Sequence, residues 1–171
     1  MEKFKSTEIK LIGAFFLVAG LFGFFRFLIL IFPIDNFVSL FNLFPTMLYG
    51  LTLYSGYLLL IKEDEKGLEI GRAVISLQII NFNIAGLGYV FITGAYLFFG
   101  FRNLNVHLNF GLDNIFLVNL YEESADFIFN INILALGVFL YLSRTLSKIE
   151  REKEIREELE RDKANGPQHS V

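Results

Sequence analysis

The chain has no cysteine. Disulfides, thiolate metal centres and cysteine nucleophiles are therefore excluded together, and no redox compartment follows, because a chain without thiols is indifferent to it. Histidine is nearly as scarce. His107 and His169 are the only two, and neither stands in a metal-ligand spacing. Charge is missing in blocks. The runs Leu11–Phe32, Leu43–Ile61, Ala73–Phe99 and Phe127–Ser143 contain a single formally charged side chain, Arg26, and no Asp or Glu. That leaves no buried carboxylate pair for acid–base work and no carboxylate for proton coupling. "GLEIG" and "GLG" are not phosphate loops, since one is a short connection and the other lies inside an apolar run. Neither catalysis, nor a cofactor, nor a metal is expected.

What fills the sequence instead is apolar. Hydrophobic residues make up 54% of the chain, Phe alone occurs 21 times, and charged residues are 19%. A membrane-crossing helix needs about 20 apolar residues at about 1.5 Å each. Three of the runs meet that length, and the fourth does so with snorkelling ends or local thinning. The fold class this predicts is an all-α membrane protein. Its four transmembrane helices span about 11–32, 43–61, 73–99 and 127–143 in a bundle over 1–143, with an outer loop at 100–126. A charged cytoplasmic helix and tip follow at 144–171. The first run is longer than the roughly 7–15 residues of a leader's apolar core, and is read as a retained span.

Lys and Arg mark the cytoplasmic side. They occur in the N-terminal arm (Lys3, Lys5, Lys10), the 62–72 loop (Lys62, Lys66, Arg72) and the tail (Arg144, Lys148, Arg151, Lys153, Arg156, Arg161, Lys163). The 33–42 connection has none and the 100–126 loop only Arg102. The alternation predicts a multi-pass protein of the cell inner membrane with both termini in the cytoplasm.

Residues 105–113 of the outer loop alternate apolar Val106, Leu108, Phe110 and Leu112 with polar or small residues, the period of a half-buried strand. A Gly111–Asn114 turn then leads to 115–121, either the second strand of a hairpin or an interfacial helix. In the tail, Glu152–Arg156 and Glu157–Arg161 are favourable i,i+4 pairs. Its seven basic residues face seven acidic ones, which suits a solvated helix or a docking surface for a cytoplasmic protein, and no nucleic acid.

Polar groups inside spans point to function. Arg26 lies about 22 Å along the first helix. It either snorkels or pairs with Asp126, supported by Asn130. Gln78, Asn81 and Asn83 in the third run, with Asn130 and Asn132 in the fourth, are expected either to cross-link helices or to line a water-filled path, with Asn83 and Asn132 at matching depth. Ala19-x-x-x-Gly23, Thr46-x-x-x-Gly50 and Thr52-x-x-x-Gly56 permit close helix approach.

Two functions fit these features: a non-catalytic membrane scaffold or accessory protein, or an oligomeric pore-forming or antiviral-defence membrane effector. The lipid bilayer is the expected partner, with a homo-oligomer and a cytoplasmic protein as the others. The stretch "KEDEKGLEIGRAVISLQIINFNIAGLGYVFITGAYLFFG" (62–100) resembles small four-span proteins of bacterial inner membranes. The overall plan is similar, in topology alone, to membrane components of antiphage systems. Neither resemblance implies site residues.

Overall fold

A computed structural model describes residues 7–30, 42–120 and 127–164. Helix α1 (Thr7–Ile29) and helix α2 (Leu43–Tyr57), continued by a wider π turn at Leu58–Lys62, form an antiparallel pair. Small residues let their backbones meet. A Cβ added at Gly56 would lie 2.4 Å from the Leu17 nitrogen, and one at Gly20 would lie 2.5 Å from that of Leu53. Of the expected small-residue motifs, Gly56 and Gly23 sit at this contact, the latter under the Tyr49 ring, whereas Gly50 meets Phe24 at an ordinary distance. The polypeptide then reverses at Glu63, which is left-handed (φ 53°), and Asp64 caps helix α3 (Glu65–Ser76) by accepting from the Lys66 amide.

Beyond α3 the chain stops being helical. Strands β1 (Ile80–Ile84), β2 (Leu87–Arg102), β3 (Asn105–Leu120) and β4 (Ile128–Asn132) form one antiparallel sheet in the order β1-β4-β2-β3, before helix α4 (Ile133–Ala164). The protein is therefore α+β, and the all-α four-span bundle is corrected. The run 73–99 supplies the end of α3, all of β1 and most of β2. The run 127–143 supplies β4 and the start of α4. The physical reason is periodicity. Ile80, Phe82 and Ile84 alternate with Asn81 and Asn83, and Ile128–Asn132 alternates in the same way, while β-branched and aromatic residues crowd Tyr89–Phe99. Summed hydropathy cannot distinguish such strands from a span.

The outer-loop segment is extended, as expected, but it is not a hairpin in itself. β3 runs unbroken through Gly111–Asn114 and pairs with β2 from Leu87↔Leu120 to Arg102↔Asn105. The turn lies earlier, at Asn103–Leu104, with φ of 49° and 67°, and Ala85–Gly86 joins β1 to β2 in the same left-handed manner. Such two-residue loops match the twist of the strands they join.

β1, β4 and β2 are each antiparallel to the other two. Three such strands cannot lie flat, so β2 changes direction between its pairing with β1 at Leu87–Tyr89 and with β4 at Phe98–Arg102. Gly94, at φ +78°, lies within that interval and takes a backbone conformation that other residues adopt at a cost.

Two apolar cores hold the parts together. Ile9, Phe16, Leu59, Leu68, Ile75, Leu142 and Leu146 fill the space between the four helices. Above them an aromatic chain runs from Phe27, stacked on Tyr49 at 5.2 Å, through Phe91 to Phe116 and Phe44. It joins the helix pair to the β2–β3 ribbon, and the Tyr49 hydroxyl donates to the Ile92 carbonyl at 2.7 Å. At the opposite end Lys10 pairs with Glu63 at 2.8 Å, Tyr141 donates to Glu8, and Lys153 bonds Glu65. From there α4 continues into solvent, carrying a Lys148–Glu152 pair.

Gly56→Ala is expected to lower stability by about 1–3 kcal/mol, since backbone rather than a flexible side chain blocks the new methyl. Gly137→Ala, where nothing lies within 4 Å, is expected to raise it by about 0.5–1 kcal/mol. Circular dichroism on thermal unfolding checks both.

Candidate functional site

The buried amides are neither interhelical cross-links nor the lining of a path between helices. Between its pairings with β1 and β4, β2 has backbone N–H groups facing no strand on that edge, and unpaired buried amides are costly. Three carboxamides meet them. The Phe91 amide donates to Asn81 Oδ1 at 3.1 Å, the Thr93 amide to Gln78 Oε1 at 2.9 Å, and the Leu97 amide to Asn132 Oδ1 at 3.2 Å. Asn132 Oδ1 also accepts from the Ala135 amide at 3.3 Å, so one side chain serves β2 and the first turn of α4. Asn81 Nδ2 donates to the Gln78 carbonyl at 3.3 Å. All three side chains are buried. Their positions come from the strands and the α3 terminus, not from two facing helices.

The expected Asn83–Asn132 match is replaced by the strand register. Asn81 lies opposite Asn130, Asn83 opposite Ile128 and Gly88, and Asn132 opposite Phe98. Asn130 is buried with its Oδ1 lacking a partner among the described residues. Asn81, Asn83, Asn119 and Asn130 border a small cavity of about 130 Å³ within the sheet, which no titratable side chain lines. Acid–base chemistry has no group there to act with.

Arg26 is paired, but with a residue the sequence reading placed in a turn. Its Nη1 donates to Asp113 Oδ1 at 2.9 Å and to the Asn114 carbonyl at 2.8 Å. Asp126, the expected partner, lies outside the described residues. Asp113 is held in place because its Oδ1 also accepts from the Asn114 amide, while Asn114 Oδ1 accepts from the Gly94 amide where β2 bends. An acid closing the alternating stretch 105–113, in a segment otherwise poor in charge, is the signal that could have found Asp113.

Below this pair a groove of about 580 Å³ opens between α1 and the ribbon. Phe15, Val18, Ala19, Phe22 and Leu112 line it, and Arg26, Asp113 and Asn114 form its polar end. It exists because Gly94 lets the ribbon approach α1, its missing side chain leaving room for the Phe15 ring. No group of three or more metal-ligating side chains occurs among the described residues.

Removing one carboxamide leaves a buried N–H unpaired. Gln78→Leu and Asn132→Leu are expected to cost about 1–3 kcal/mol each, with accelerated hydrogen exchange at the Thr93 and Leu97 amides respectively. Unchanged exchange at those two amides would remove this role. Tyr89 gives a pH test. Burial pushes its hydroxyl from 10.0 up to about 12, and it donates to the Leu77 carbonyl at 2.9 Å. A raised pKa in the folded state means the stabilisation is present below pH 10 and is lost as pH rises toward 12. Tyr89→Phe is expected to flatten that part of the stability–pH curve, read by denaturant unfolding.

No family model, curated protein or solved structure matches this chain.

Proposed function

We propose that the protein is a non-catalytic membrane scaffold, anchored by the α1–α2 hairpin and presenting α4 to the cytoplasm. The observation that carries this reading is the outward face of α1. Two helices, Thr7–Ile29 and Leu43–Lys62, are long and apolar enough to cross a membrane. On α1 the exposed residues include Leu11 at 65%, Phe22 at 67% and Ile29 at 69%. A contiguous apolar stripe of this kind marks a membrane or protein contact when it exceeds a few hundred Å². The glycine-mediated approach of α1 to α2 is the packing that hydrocarbon favours.

Charge orients the hairpin. Lys10, Lys62, Lys66 and the basic residues of α4 lie toward one end, which the positive-inside rule assigns to the cytoplasm. α4 reaches beyond that end as an exposed helix, available to a cytoplasmic protein. The oxygens of Gln78, Asn81 and Asn132 are turned to β2 rather than to a path between helices, which weighs against the pore reading.

The ribbon adds a constraint. Among the described residues no strand pairs with the outer edge of β3, where Val106, Leu108, Phe110 and Leu112 are exposed. An open strand edge is not tolerated in hydrocarbon. Wherever the ribbon shares the depth of α1, that edge needs a cover, and a second copy of the chain supplies a strand of the same pattern. A detergent-solubilised mass of one chain alone would remove the homo-oligomer from the proposal.

The absence of native cysteine permits a clean test of the anchor. In vesicles, Phe22→Cys is expected to resist a membrane-impermeant maleimide, and Glu157→Cys to react. Equal labelling of both, or recovery of the protein without detergent, would overturn the reading.

A further inference from the structure

We propose that the groove between α1 and the β2–β3 ribbon holds one acyl chain of a phosphatidylethanolamine molecule, with its head at the Arg26–Asp113 pair. The inference rests on the membrane reading above and extends it from a bilayer in general to one lipid at one place.

Length is the first argument. The groove follows α1 from Arg26 past Phe22, Ala19 and Val18 to Phe15. Eleven residues at about 1.5 Å each make about 16 Å, and half of a bilayer's hydrocarbon core is about 15 Å. Depth agrees with length. Arg26 lies 16 residues beyond Lys10, which is about 24 Å along the helix. With Lys10 at the inner boundary, Arg26 comes about 6 Å short of the outer edge of a core about 30 Å thick, a distance its long side chain spans by snorkelling to the headgroups. The polar end of the groove thus meets the polar end of a lipid, and Phe22, Val18 and Phe15 meet its tail.

Charge chooses the head. The polar end carries one cation and one anion side by side. Arg26 uses Nη1 for both of its bonds, to Asp113 and to the Asn114 carbonyl. Its remaining guanidinium donors have no partner among the described residues, and they suit a phosphate oxygen. Asp113 offers a carboxylate to an ammonium. Both partners are about half exposed, at 55% and 43%, so they are accessible to a ligand. An ethanolamine phosphodiester carries both charges, and N–H donors besides. A glycerol phosphodiester would satisfy Arg26 and be repelled by Asp113.

The experiment uses the full chain in phosphatidylcholine vesicles containing spin-labelled phosphatidylethanolamine or spin-labelled phosphatidylglycerol, and reads the immobilised fraction of each. Wild type is expected to prefer the ethanolamine lipid by about threefold, the size an exposed ion pair supplies. Asp113→Asn keeps the side-chain shape and the acceptor for Arg26, and is expected to reverse the preference toward the glycerol lipid. Arg26→Gln is expected to weaken both. Val18→Trp, at an exposed position that leaves the polar end intact, fills the groove and is expected to remove the selective component. Equal immobilisation of the two lipids by wild type, or a preference unmoved by Asp113→Asn, would overturn the lipid site while leaving the membrane anchor standing. Failure of the protein to float with the vesicles would overturn the anchor itself, and this proposal with it.

Discussion

The architecture depends on keeping the backbone of β2 satisfied while the strand changes neighbours. β2 pairs with β3 along one edge throughout, but along the other it begins beside β1 and ends beside β4. The interval between would leave peptide N–H groups buried without partners, at roughly the cost of a lost hydrogen bond each. Gln78, Asn81 and Asn132 close that interval from three different elements. Because Asn132 also caps the start of α4 and Gln78 follows α3, the same bonds fix where two helices meet the sheet. The aromatic chain from Phe27 to Phe116 then seats the sheet on the α1–α2 pair.

These bonds explain a division of labour among the polar residues. The carboxamide oxygens of Gln78, Asn81 and Asn132 are structural, since neutral acceptors complete a backbone without the desolvation penalty of a charge. The ion pair of Arg26 and Asp113 is exposed instead, at the surface of the groove. The amide cluster thus lies inside the fold and the Arg26–Asp113 pair on the face between α1 and the ribbon.

Much of α1, α2 and the tail was legible. Leu11–Phe32 and Leu43–Ile61 are apolar, uncharged but for Arg26, and contain glycines at helix-packing intervals. Both correspond to helices. The charged tail is likewise helical as far as Ala164, the last residue described. Ala73–Phe99 and Phe127–Ser143 were misread because their mean hydropathy is high for a different reason. In a sheet covered on one face by helices, apolar residues accumulate on strands as they do on spans, and the distinguishing sign is the spacing of Asn81, Asn83, Asn130 and Asn132 at period two. The strand character of 105–113 was visible from the same alternation. Its partner was not, because pairing with β2 is set by the Asn103–Leu104 turn, and a leucine at φ 67° announces no turn. Arg26 was legible as a residue needing a partner. Its partner is hidden because the Gly-Leu-Asp-Asn string around Asp113 reads locally as a reversal, whereas β2 pairing keeps it extended.

Helix α4 has a mechanical consequence. It runs for 32 residues, from the end of β4 to well past the charged end of the helix pair, with no proline and no glycine after Gly137. At about 1.5 Å per residue that is a rod about 48 Å long. Such a rod has no hinge, so a small tilt at its root, where Asn132 ties it to the sheet, arrives at its far tip as a much larger sweep. The helix is in effect a pointer, carrying to its far tip the posture of the sheet at its root.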